Sequence, residues 1–506
     1  MCRMPETNFF FNLKAGLANV YNDCNMKMKK YAVFLFAFVI CGYMNNVFAQ
    51  VKTNALDISW TTKTGAKKFP SSTKVFKVNA VSDTSKVITK SIQATIDECA
   101  KSGGGIVTFA PGVYVTGSIF VKTGVQLKIG KGVLLLGSQS FDDYPEIDTR
   151  IAGIEMKWPA ALINIIGAKN AAVTGDGIVN ARGKFCWDKY WAMRKEYDAK
   201  GLRWIIDYDA KRVRTLLVQN SSDITLKGVT FKNAGFWTVQ LLYSDHVTVD
   251  GIIVRNNEDG HGPSTDGVDV DSSTWILIQN CDIDCNDDNF CLKAGRDWDG
   301  LRVNKPTEYV LIRKCVARRG GGLVTLGSET SGGIRHVLAT DLYAKHTDNG
   351  LRIKSAFTRG GVIEDIHFTN SVLDSVNTAF QFNLNWYPAY SYSELPKGYS
   401  YDSIPAHWKA MLHKVTPPEK GIPHAKNIYI ENVKVTNALN VFGGIGYEQS
   451  LLEDFIFTNC TITATSLGMI EFTKGWKFNN VTIGIDKKPA ATKESAGKEE
   501  KERMKN

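Results

Sequence analysis

The sequence predicts an all-β fold, a parallel β-helix in which short strands stack as the coils of a solenoid, closed at one end by a helix. Three observations predict it. A polar residue (Asn, Asp or Lys) followed by a brief alternating apolar run and a turn recurs along the chain. Equivalent positions are mostly about 21–34 residues apart, and internal repeats of that length mean units that bury their apolar faces by stacking. One helical pattern precedes this series and is placed to cover an open strand edge. A β-sandwich or propeller fits less well, because a propeller blade needs longer and more regular repeats.

Residues 1–49 are expected to be a leader with a secretory signal peptide. Lys27, Lys29 and Lys30 form its basic part, Tyr31–Ile40 is apolar, and Val47-Phe48-Ala49 offers small residues for cleavage before Gln50. The apolar run is too short for a stable membrane span. Residues 50–74 read as a polar leader. In SIQATIDEC (91–99) the apolar spacing is helical, with Ser91 as N-cap and Gly103-Gly104-Gly105 as terminator. Glycine-punctuated strands follow. The theme then recurs in ITLKGVTFKN (224–233), VTVDGIIVRN (247–256), ILIQNCDIDC (276–285), VLIRKCVARR (310–319) and on to FNNVTIGI (478–485). A gap at 375–425 must hold an extra loop. The β-helix domain is thus 75–485, and the charged stretch 486–506 reads as a disordered tail.

The formal net charge of +10 falls to +7 once the five Lys/Arg and two Asp/Glu of residues 1–49 are removed. A mildly basic secreted or periplasmic protein suits an acidic polymer as partner. There is no basic arm with interleaved aromatics, so nucleic acid is not an expected partner. A monomer is expected. Seven cysteines follow the leader, an odd number, and Cys281, Cys291, Cys315 and Cys460 sit in apolar strand patterns. They read as small buried hydrophobes. No spacing resembles a zinc site, and neither metal nor cofactor is expected.

NDDNFCLK (286–293) sets Asp287 and Asp288 side by side in an apolar run, against strand propensity and charge repulsion. Asp266, in STDGVDVD, precedes them by 21 and 22 residues, close to one coil. The three carboxylates are expected on adjacent rungs about 4.8 Å apart. Later coils bring Gly320-Gly321-Gly322, then Arg352 and Lys354, to the same face. Crowded carboxylates cannot all ionise at ordinary pKa, and a proton held by one beside charged neighbours is what glycosidic cleavage needs. Calcium also binds clustered aspartates, although Arg352 and Lys354 would repel it. A solvated polar edge is the third alternative.

These residues are also where the chain resembles the polygalacturonase family, glycoside hydrolase family 28. Its four motifs, Asn-Thr-Asp, Asp-Asp, Gly-His-Gly and Arg-Ile-Lys, read here Ser264-Thr265-Asp266, Asp287-Asp288, Gly320-Gly321-Gly322 and Arg352-Ile353-Lys354, over about 75–485. NAGFW (233–237) and GSETSGGIR (327–335) are similar too. The resemblance implies a right-handed helix and inverting hydrolysis without metal. Asp287 would be the general acid, Asp266 and Asp288 would activate water, and Arg352 and Lys354 would bind a uronate carboxylate. Lys293 and Arg296 are further substrate-binding candidates; Trp298, Trp386 and Tyr387 are candidates for sugar stacking. Gly321 replaces the motif histidine, with His261, His336 and His346 as possible substitutes.

The expected function is hydrolysis of α-galacturonide linkages in pectin (homogalacturonan or rhamnogalacturonan), exo-acting if the 375–425 insertion walls the cleft. The alternatives are a polysaccharide lyase, which would need calcium or a poised base, and a non-catalytic pectin-binding β-helix.

Overall fold

The computed structural model describes residues 56–67, 72–79, 83–258 and 260–486. The leader and its signal peptide lie outside these, as does most of the tail. Within them the chain winds as stacked coils whose strands pair in parallel with those one coil away. Single columns of side chains run through the whole stack. One passes from Val107 through Leu127, Val173, Leu226, Val249, Ile278 and Ile312 to Phe368, Ile430 and Phe457. Every one of these is buried. Alternation sends each second residue inwards, and identical inward positions stack because the coils keep register.

Each ten-residue theme in the sequence is two strands rather than one. In ITLKGVTFKN the strand Ser222–Lys227 belongs to one sheet and Thr230–Lys232 to another, with Gly228 at the corner. Register offsets are 23 residues from Ser222 to Asp245, 22 from Val268 to Phe290 and 27 from Val324 to Leu351. The polar residue that opens many repeats turns a corner. Asn280, Lys314, Asp341, Asn370, Asn432 and Asn459 all have φ between +48° and +56°, the region that Asn and Asp tolerate best. Trp275 (φ +59°) and Tyr309 (φ +54°) hold the same conformation at another corner. They stack there at 4.1 Å.

The capping helix spans Thr89–Lys101 and buries Ile92, Ile96 and Cys99. Ser91 is not its N-cap: Ile88 holds that position without a side-chain cap, and Ser91 lies inside the first turn. The expected polar leader is partly structured. Ser59–Lys63 forms a short 3-10 helix, Trp60 packs edge-on against Trp275, and Thr64 bonds Thr248 at 2.8 Å. The seven cysteines among the described residues are all buried and unbridged. A reducing agent is therefore expected to leave the thermal midpoint unchanged, which a melt with and without dithiothreitol would check.

Three excursions leave the coils on one side. The first is an antiparallel hairpin, Glu146–Ile151 with Ile154–Pro159. The second holds the helices Lys184–Ala199 and Ile206–Asp209. The third lies between the strands Thr378–Asn383 and His424–Glu431, a shorter gap than the sequence marked. They share an apolar cluster that includes Ile151, Trp158, Trp204, Tyr208 and Trp408. The helix 184–199 was missed because its apolar face is weak and its Lys, Arg and Glu read as surface.

Candidate active site

Four consecutive coils build the site. Gly267 N–H donates to Asp288 O at 2.9 Å, so Asp266 sits one rung from Asp288, as the spacing implied. Asp288 in turn pairs with Gly322. The strand Asn349–Lys354 supplies the next rung, with Arg352 beside Thr325. Asp287 ends the preceding corner, and its Oδ1 accepts the Asp288 N–H at 3.0 Å.

The two neighbouring aspartates differ in placement. Asp287 is half-buried and lines a cleft together with Asp266, Lys293, Lys354, Trp237, Glu329 and Trp386. The enclosed part of the cleft is small, about 80 Å³, below the range of drug-sized ligand pockets. Asp288 lies beneath it, fully buried. Its Oδ1 accepts from Thr325 at 2.7 Å and from Arg352 at 3.4 Å, and its Oδ2 takes Lys354 Nζ at 2.7 Å. Burial opposes the charge on Asp288, yet Lys354, Arg352 and Lys293 hold its carboxyl well below the usual range. Asp266 goes the other way: burial, then the charge of Asp287, push it up to about 8. One face thus carries an ionised and a protonated carboxyl side by side.

A buried carboxylate that the sequence did not single out completes the cluster. Asp269 is fully buried, and burial and Asp266 raise it well above the normal range. Alternation along STDGVDVD would have flagged it. Lys293 binds this group from below, 3.7 Å from Asp266, 3.5 Å from Asp269 and 3.2 Å from Glu329. Its ammonium also lies 4.8 Å from the centre of the Trp237 ring. Glu329 is held low, at about 2, where burial is outweighed chiefly by Lys293.

The remaining expected residues separate. Arg296 is fully buried and ties Asp297, the Tyr208 hydroxyl and the Tyr390 carbonyl together. It holds two excursions in place and does not line the cleft. Trp298 packs on His413, at 4.3 Å. Trp386 does face the cleft, with Lys354 4.7 Å and Arg352 5.7 Å from its ring centre. Of the three histidines, His261 lies 3.1 Å from Asn286, next to Asp287, and stacks on Trp191. His336 belongs to the outer aromatic corner with Tyr309 and Asp365, and His346 to the turn beside Asp374. At Gly321 a Cβ would lie 3.2 Å from Asp288 Oδ1 and 3.3 Å from Asp287 Oδ1, so a side chain there would crowd both aspartates.

Metal-ligand spacing occurs once among the described residues, with Asp266, Asp288 and Cys291 ligand atoms within 4.8 Å of one another. Lys354 and Lys293 already occupy the carboxylate side of that cluster.

A family model described as glycosyl hydrolases family 28 matches residues 110–388, which include Asp266, Asp287, Asp288, Arg352 and Lys354. The chain belongs to this family. It is 28% identical over 317 residues to a probable polygalacturonase of Vitis vinifera, covering 60% of this chain and 61% of the relative's length. It is 27% identical to an exo-poly-alpha-D-galacturonosidase of Dickeya chrysanthemi, covering 87% of this chain and 75% of that one. Among solved structures it is similar to a hyperthermoactive exopolygalacturonase of Thermotoga maritima, with TM-score 0.66, 23% identity, and coverage of 81% and 92%. These comparisons establish the right-handed parallel β-helix and a glycoside hydrolase. No helix among the described residues is long and apolar enough to cross a membrane.

The sign of the Asp266 shift fixes one pH dependence. A carboxyl raised from 3.8 to about 8 binds more protons folded than unfolded across that interval. Its contribution is full below about pH 4 and is lost as pH rises through 8. Asp266→Asn, which cannot ionise, is expected to flatten the decline in stability between pH 5 and 8.5. Urea midpoints of both proteins at several pH values would check this; parallel curves would contradict it.

Proposed function

We propose that the protein is an inverting hydrolase of α-galacturonide linkages in pectin, exo-acting, and secreted or periplasmic as a monomer. The observation that carries this reading is the cleft itself, lined by Asp266, Asp287 and Lys354 with Asp288 and Arg352 packed against them, and walled in part by residues of the excursions. Asp287 protonates the leaving oxygen, while Asp266 with Asp288 orients and deprotonates the attacking water. Arg352 and Lys354 pair with a uronate carboxylate. The similar proteins named as polygalacturonases, one of them an exo-acting galacturonosidase, support the substrate class.

A second reading of the two roles has its own support. Asp266 is raised towards the protonated form, so Asp266 as acid and Asp287 as base fits the electrostatics of this chain.

Gly321 stands where the family motif has histidine and leaves Asp287 and Asp288 uncrowded, so rhamnogalacturonan is tested beside homogalacturonan. The test is a product profile on polygalacturonate and on rhamnogalacturonan oligosaccharides without calcium. Galacturonate released one residue at a time, without new absorbance near 235 nm, supports the proposal. Unsaturated products would mark a lyase instead, long oligomers endo action, and no product from either substrate a binding protein.

A further inference from the structure

One wall of the cleft carries a positive charge that the catalytic cluster does not use. The segment 200–209 brings Arg203 and Asp207 to that wall, in a lining that also includes Lys354 and Trp386. Asp207 is shared by two arginines: Arg203 Nη1 reaches Oδ2 at 2.7 Å, and Arg212 Nη2 reaches Oδ1 at 2.7 Å. Two cations on one carboxylate leave one positive charge in surplus. Arg212 is fully buried, bonded to the Pro263 carbonyl and sandwiched by Tyr190 and Phe236, so it cannot present that charge. Arg203 can, since 12% of its side chain remains exposed and Arg203 itself lines the cleft.

Arg203 is also held for the task. Its guanidinium packs over the rings of Tyr390 and Tyr387, with its carbon 4.8 Å and 5.3 Å from their centres. Arg194 fixes Tyr387 through its hydroxyl at 2.9 Å. The Arg203 Nε is buried without a hydrogen-bond partner, and an unpartnered donor on a desolvated cation is costly unless a ligand supplies the acceptor. The other cations lining the cavity each have a carboxylate partner within the catalytic cluster: Lys354 has Asp288, and Lys293 has Asp266 and Glu329.

We propose that Arg203 forms an anion subsite on this wall of the cleft, which takes the carboxylate of the chain-terminal uronate. This rests on the galacturonide reading and adds to it a specificity for a charged, not a neutral, terminal sugar. A planar guanidinium backed by two rings suits a carboxylate in two-point contact.

The experiment compares wild type, Arg203→Gln and Arg203→Lys on digalacturonate and on the same disaccharide with the terminal carboxyl reduced to the alcohol. Arg203→Gln is expected to raise KM for digalacturonate roughly 10–100-fold with kcat changed only a few-fold. Wild type should lose a similar factor on the reduced substrate, and Arg203→Gln should lose nothing further on it. Arg203→Lys keeps the charge and should recover part of the affinity. Equal KM values for wild type and Arg203→Gln, or the same loss on both substrates, would overturn the subsite. Calorimetry of free galacturonate against galactose reads the site without turnover. Galacturonate should bind wild type at least tenfold tighter than Arg203→Gln, and galactose should not distinguish them. A wild type that binds galacturonate through Arg203 but cleaves no galacturonide would sink the hydrolase reading and leave this one standing.

Discussion

Asp287→Asn is expected to lower kcat on oligogalacturonate by roughly 10²–10⁴-fold while leaving the fold intact. Its Oδ1 accepts the Asp288 N–H, and an asparagine oxygen keeps that bond. The residue is half-buried and has no cation to orphan, so the melting curve should overlay that of wild type. The same variant separates the two assignments of roles. If Asp287 is the acid, an aryl galacturonide with a good leaving group should regain most of the lost rate, because departure no longer needs a proton. If Asp287 is the base, azide should restore turnover by replacing the activated water. Near-normal hydrolysis by Asp287→Asn on ordinary substrate would remove this residue from the chemistry.

Lys293→Met is expected to produce the largest loss of stability, about 3–5 kcal/mol. The ammonium lies among three buried carboxyls, Asp266, Asp269 and Glu329. Methionine fills a similar volume but removes the cation nearest to all three, and removing one partner of a buried ionic cluster is far costlier than never having had it. The loss has a pH signature. Glu329 is held at about 2 against an ordinary 4.5, so the stabilisation that Lys293 gives it is present above about pH 4.5 and is lost as pH falls through 2. Chemical denaturation at pH 7 and pH 4 should show the larger deficit at pH 7. A variant within 1 kcal/mol of wild type at both would show that the cluster satisfies itself through shared protons.

The two expectations differ because position differs, although all these residues belong to one constellation. Asp287 faces the cleft and acts on substrate. Lys293 faces the same cleft edge-on, yet it is 4% exposed and spends its charge on the protein. The reading of Lys293 as a substrate ligand was reasonable from its place after the Asp-Asp pair. In the folded chain Lys293 is a cation for the carboxylate cluster first, and Arg296 is a structural tie between excursions.

The coil repeat, the parallel stacking, the capping helix and the adjacency of Asp266 with Asp287 and Asp288 were all legible in the sequence. Each depends on periodicity, and periodicity is a local property: alternation fixes which side chains point inwards, and a spacing of 22 residues fixes which carboxylates become neighbours. Ser91 as a cap failed, and the helix at 184–199 was not legible, where local propensity is weak and tertiary context chooses. The tertiary structure alone decided which aspartate is buried against cations. Asp287 and Asp288 are adjacent in sequence, but only one receives Lys354, Arg352 and Thr325 from coils more than thirty residues away. It also decided the wall of the cleft that holds Arg203, because Arg203, Tyr387 and Tyr390 come from two excursions with no common period. Charge and proton position depend on distances in space, and spacing in sequence sets those distances only within the repeat.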